Sequence, residues 1–119
     1  MKAKDKTVVG KMLHYCGEIA ATHTHFGNDK DLFFDIQDGF IYRNSVTMPL
    51  LQIGELAKSL SEEFLSDHPE LPWKDMMRMR DLFAHHYGSI DYTFVWETSR
   101  VDIDELRKYL LSLSEGAEQ

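Results

Sequence analysis

Cysteine is nearly absent from this 119-residue chain. Its one thiol, Cys16, can close no intramolecular disulfide, and the spaced set of four thiols that marks a structural zinc site is missing. That usage fits a reducing cytosol, with Cys16 packed as core. Basic charge is short too: 13 Lys and Arg stand against 20 Asp and Glu, a formal net charge of -7. Long-range attraction to nucleic acid or to an anionic membrane is not supported by that balance, and any binding of RNA has to be local. No stretch approaches the ~20 apolar residues of a membrane span. The opening Met1-Lys2-Ala3-Lys4-Asp5 lacks the apolar segment of a secretory signal, so the expectation is a cytoplasmic protein without membrane contact. Internal repeats, low-complexity tracts and convincing strand-like alternation are missing as well. The length suits a single domain over residues 1–119 with one core.

What is present is helical periodicity. From residue 5 to about 26, Val9, Leu13, Cys16, Ala20 and His23 recur at three and four, beside a stripe of Val8, Met12, Tyr15 and Ile19. Gly27, Asn28 and Asp29 then supply turn chemistry, and Leu32, Phe33, Ile36 and Phe40 predict a shorter helix weakened at Gly39. Residues 42–66 form a third helix, with Ile53, Leu56, Ala57, Leu60 and Phe64 on one face and Pro49 set to kink or break it. Pro72 is placed to open a fourth helix over residues 73–87, stopped by Gly88. Asp91 caps a short helix through Trp96, and Asp102 with Glu105 has the capping-box spacing before Ile103, Leu106, Leu110 and Leu113. The expectation is an all-α fold, an antiparallel bundle of about five helices.

The fourth helix carries the chemistry. On a helical wheel Met76, Met79, Leu82, Phe83, His86 and Tyr87 share one apolar arc, and Lys74, Arg78, Asp81 and His85 lie opposite. The three methionines Met76, Met77 and Met79 are at packing positions. Arg80 breaks the pattern at the margin of the buried face, where a charge needs a partner or a task. Asp81 stands four residues before His85, close enough to orient the imidazole and stabilise its protonated form. Arg80 and His85, five apart, diverge by about 140° on a regular helix, too far to grip one phosphate together. Either the helix distorts or ends near His85, or a two-fold dimer brings two copies into one cleft, and the dimer is favoured. Blander roles stand beside these. His85 and His86 can complement a helix C-terminus, and Arg80 can pair with Glu55 on the third helix. His23-Thr24-His25 splays its imidazoles by about 200° and has no third ligand, so no metal and no cofactor is expected.

The run Arg80-Asp81-Leu82-Phe83-Ala84-His85-His86-Tyr87 resembles the Arg-x4-His-x-Tyr signature of HepT-like HEPN proteins. The resemblance continues through Leu51-Gln52-Ile53-Gly54-Glu55-Leu56-Ala57-Lys58, Leu60-Ser61-Glu62-Glu63, Pro69-Glu70-Leu71-Pro72-Trp73, Ile90-Asp91 and Val95-Trp96-Glu97, most of residues 40–110. Asp81 stands where relatives often carry Asn, and His86 where they are often acidic. The resemblance implies an HEPN-like helical domain and a metal-independent endoribonuclease toxin in which the substrate's 2′-hydroxyl attacks the adjacent phosphate. On it, His85 is general acid or base, Arg80 stabilises the phosphorane, and Asp81 orients His85. Tyr87 positions the backbone or accepts AMP from a partner nucleotidyltransferase antitoxin, and the chain is a homodimer acting on RNA. The alternative is a non-catalytic dimeric module that serves as partner and modification target of that nucleotidyltransferase.

Overall fold

The computed structural model describes residues 1–85 and 87–117, together with the side chains of these residues other than Tyr87 and 114–117. Every regular element among them is helical, as the periodicity predicts: α1 (Ala3–His25), α2 (Lys30–Phe34), α3 (Phe40–Ala57), α4 (Glu62–Asp67), α5 (Trp73–His85), α6 (Tyr92–Glu97) and α7 (Ile103–Ala117). The long helices α1, α3, α5 and α7 carry the bundle. The short ones turn the chain between them.

Several boundaries differ from the expected ones, each for a local reason. The helix expected through Leu32, Phe33, Ile36 and Phe40 ends at Phe34, because Asp35 turns the chain by accepting from Gln37 and Asp38 N–H, which leaves Ile36 exposed and Phe40 at the start of α3. Pro49 is buried inside α3 and does not end it. The carbonyl that loses its donor belongs to the exposed Ser45, where water can serve. The break comes later, because Ser61 caps α4 by accepting from Phe64 N–H at 3.1 Å while donating its own N–H and hydroxyl to Asp5 at 2.8 and 2.6 Å. One carboxylate at the start of α1 thus fixes where the third expected helix divides. Asp102 starts no new helix: α6 runs through a π-helical turn at Thr98–Asp102 straight into α7. Asp91 does cap α6, accepting from Thr93 and Phe94 N–H.

The core is aliphatic along α1, α3 and α7 and aromatic at one end. There Phe26 stacks on Tyr42 at 4.5 Å between ring centroids, and Phe33 and Trp96 close against the same tyrosine. His23 lies among these rings, with both imidazole nitrogens occupied, at 2.5 Å from Tyr42 OH and 2.9 Å from Ser99 Oγ. Ser99 gives its one proton to the Trp96 carbonyl at 3.1 Å. The remaining protons then have one arrangement, in which Tyr42 O–H donates to Nδ1 and Nε2–H donates to Ser99. His23 is a core histidine, and His25 is exposed, so the His-x-His pair is split between interior and solvent.

Burial, reinforced by the nearby Arg100 charge, pushes the His23 pKa down to about 4. An unfolded chain protonates this side chain below about 6.5, so between those values the unfolded state holds the extra proton. Stability is therefore fully present above pH 6.5 and falls by up to about 3 kcal/mol as the pH drops toward 4. Urea midpoints measured from pH 7.5 to 4 are expected to show this decline, and a flat profile would contradict the neutral, buried imidazole.

Candidate active site

The helix α5 crosses α3 at Gly54. A methyl group there would come to 2.7 Å from the Arg80 Cβ and 2.8 Å from the Met76 carbonyl, so only glycine admits the approach. Glu55, the next residue, receives the Arg80 Nε at 2.5 Å. Lys58, the residue that follows the last of α3, binds the Asp81 carboxylate, which also accepts from Arg80 Nη1 at 3.3 Å. Two acids and two bases thus alternate along a chain, Glu55–Arg80–Asp81–Lys58. The hydrogen bond from Lys58, aided by Arg80, holds the Asp81 carboxyl below the usual carboxylate range. Arg80 keeps 31% of its side chain accessible, so the guanidinium is oriented from beneath and still faces solvent.

Of the two expected pairings, that of Arg80 with Glu55 is present and forms part of this chain. The expected Asp81–His85 pair is not formed. Although the spacing permits it, Lys58 and Arg80 bring full positive charge to Asp81, and they occupy its carboxylate. His85 is the exposed last residue of α5, and no described residue makes a hydrogen bond or ion pair with it. Because α5 is regular from Trp73 to His85, the divergence of about 140° between Arg80 and His85 stands within one chain. No distortion relieves it before the helix ends at His85. A 3-10 turn follows at Tyr87–Ser89. The side chain of Tyr87 and all of His86 lie outside the described residues, and with them the roles that the sequence suggests for Tyr87.

Lys58 is the member of the site that periodicity did not reveal. The signal was its offset of three from Glu55, which puts both on the face that borders Gly54. Among the described residues no cluster of three or more His, Cys, Asp or Glu could hold a metal ion. Nor is any described helix long and apolar enough to cross a membrane.

Comparison with known proteins bears on this geometry. The model of the family described as Ribonuclease HepT-like matches residues 12–113. A Methanocaldococcus jannaschii protein named "Putative RNase MJ0127" is 42% identical over 55 residues, 46% of each chain. One from Thermococcus cleftensis named "Probable ribonuclease HepT" is 42% identical over 55 residues, 46% of this chain and 50% of its own. A longer match, 30% identical over 100 residues, covers 82% of this chain and 42% of the Methanocaldococcus jannaschii protein named "Gamma-glutamylcyclotransferase and putative RNase MJ0434". The chain spans about half the length of the first two relatives. No solved structure matches it. With the family match extending from α1 to α7 across the Gly54 crossing and all of α5, this chain belongs to the HepT-like ribonuclease family.

Proposed function

We propose that this chain is a metal-independent endoribonuclease and the toxin of a toxin–antitoxin pair, working in the cytoplasm as a homodimer. The observation that carries the reading is Arg80, oriented by Glu55 and Asp81 at the Gly54 crossing yet open to solvent. In this reaction the RNA 2′-hydroxyl loses its proton to a base, O2′ bonds to phosphorus, the P–O5′ bond breaks and O5′ takes a proton. The products are a 2′,3′-cyclic phosphate and a 5′-hydroxyl. Protons and positive charge suffice for this, and general acid–base help of this kind is typically worth about 10²–10⁴-fold. His85 handles the proton and Arg80 meets the charge that builds on phosphorus. Asp81 is assigned a different task from the expected one, positioning Arg80 rather than His85.

Since Arg80 and His85 diverge on one helix, the reading assembles the cleft from two chains. An exposed stripe on α3 supports it. Ile41 is 55% exposed and Met48 is 61% exposed. At intervals of seven the stripe continues to Glu55, the partner of Arg80. A second copy lying along this stripe would bring two α5 helices together.

A second reading rests on the same ion-pair chain. Arg80 already touches two carboxylates, which suits a non-catalytic module that binds a nucleotidyltransferase antitoxin and receives AMP on Tyr87.

Wild-type protein free of its partner is expected to cleave RNA in EDTA. Arg80→Ala and His85→Ala, each checked for helicity by circular dichroism, should each lose about 100-fold or more. Equal cleavage by the double variant would overturn the assignment. Absence of cleavage by the wild type, with AMP added to Tyr87 on co-expression and lost in Tyr87→Phe, would favour the second reading. Light scattering at micromolar concentration should give about twice the 13.9 kDa of one chain. Met48→Asp should lower that mass, and a persistent monomer in the wild type would count against the shared cleft.

A further inference from the structure

The contact between α1 and the helix that follows the π turn is not filled. α1 presents Cys16, Ile19, Ala20 and His23, and the facing wall presents Arg100, Ile103, Asp104 and Arg107. Both sets have offsets of three, four and seven, so each lies along one helix face. Small residues, Cys16 and Ala20, stand on the α1 side, and a cavity of about 160 Å³ is left between the walls. Its floor is polar, formed by the buried His23 and Ser99. Asn28, held in the left-handed region at φ 53 just after α1, stands at the rim.

The charges around this cavity are unbalanced. Asp104 gives its carboxylate to Lys108 at 3.0 Å. Among the described residues neither Arg100 nor Arg107 forms an ion pair. The Arg100 guanidinium lies over the Trp96 ring at 5.0 Å from its centroid, and Arg107 is half-buried. Two guanidinium groups without carboxylates therefore converge on one cavity, in a chain of net charge -7. Arg100 is exposed at the mouth, whereas Arg107 is half-buried, and a partly buried charge ordinarily finds a counter-ion. The π turn that carries Ser99 and Arg100 is a rare element that is frequent at functional sites.

We propose that the cavity between α1 and α7 binds a phosphate group, gripped by Arg100 and Arg107. Two guanidinium forks offer more donors than the two oxygens of a carboxylate take up, whereas a phosphate offers further acceptors for both. The site shares no residue with the Glu55–Arg80–Asp81–Lys58 chain, so it stands whether or not Arg80 and His85 cleave RNA. Inorganic phosphate, a mononucleotide and a nucleic-acid backbone all present the same group.

The test is thermal unfolding of the full chain at constant ionic strength, with chloride replaced stepwise by inorganic phosphate, by uridine 5′-monophosphate, or by a DNA dodecamer that offers no 2′-hydroxyl. A saturable rise in Tm with phosphate is expected, with the half-saturating concentration raised at least tenfold in Arg100→Gln and in Arg107→Gln. Ala20→Leu, which fills the cavity and leaves both arginines in place, should abolish the saturable rise. A tighter response to the mononucleotide would assign a free ligand, and a tighter response to the dodecamer a strand of nucleic acid. A linear response shared by wild type and all variants would overturn the proposal. So would saturable binding that survives Ala20→Leu, or dodecamer binding with no response to either small ligand.

Discussion

The close approach of α3 and α5 at Gly54 is the constraint on which the rest of the site depends. With no side chain between them, the backbones come near enough for Glu55 to reach the Arg80 Nε and for Lys58 to reach Asp81. Any larger residue would push α5 outward and lengthen every link at once. Exposed ion pairs of this sort contribute little to stability. The chain Glu55–Arg80–Asp81–Lys58 therefore matters less for stability than for direction. It fixes one guanidinium at the edge of the core.

A second constraint lies at the other end of α3. The hydrogen-bonded series Tyr42–His23–Ser99–Trp96 ties α1, α3 and the π turn into one buried polar unit. Every donor in it has an acceptor, which makes a polar group in an aromatic core tolerable. The same π turn aims Ser99 inward and leaves Arg100 at the mouth of the α1–α7 cavity. Two cationic positions, Arg80 and the Arg100–Arg107 pair, thus stand on different helix pairs, α3–α5 and α1–α7, of an acidic protein.

Much of this was legible in the sequence, within physical limits. Periodicity revealed α1 and α5 nearly to their ends, and Asp91 announced its own cap. Leu60 and Phe64 kept the spacing of α3 although the helix stops at Ala57. Apolar spacing reports which side chains are buried, and a chain can break and resume without losing register. The staple between Asp5 and Ser61 spans 56 positions, beyond any local pattern. Asp102 and Glu105 had the spacing of a helix start, but a π turn consumed the extra residue without ending the helix. For Asp81 the i,i+4 rule offered His85, and tertiary structure offered Lys58. The wheel put Arg80 at the margin of the buried face, where a charge needs a partner or a task, and Glu55, one of the carboxylates open to it, is the partner found.

The most direct test of the Gly54 account is the rate of RNA cleavage by Gly54→Ala. The added methyl meets a backbone carbonyl and the Arg80 Cβ at under 3 Å, so α5 must shift, at a cost of about 1–3 kcal/mol. The predicted result is a folded protein with a lowered urea midpoint and cleavage reduced at least tenfold. Wild-type cleavage together with an unchanged midpoint would contradict the claim that this crossing positions Arg80.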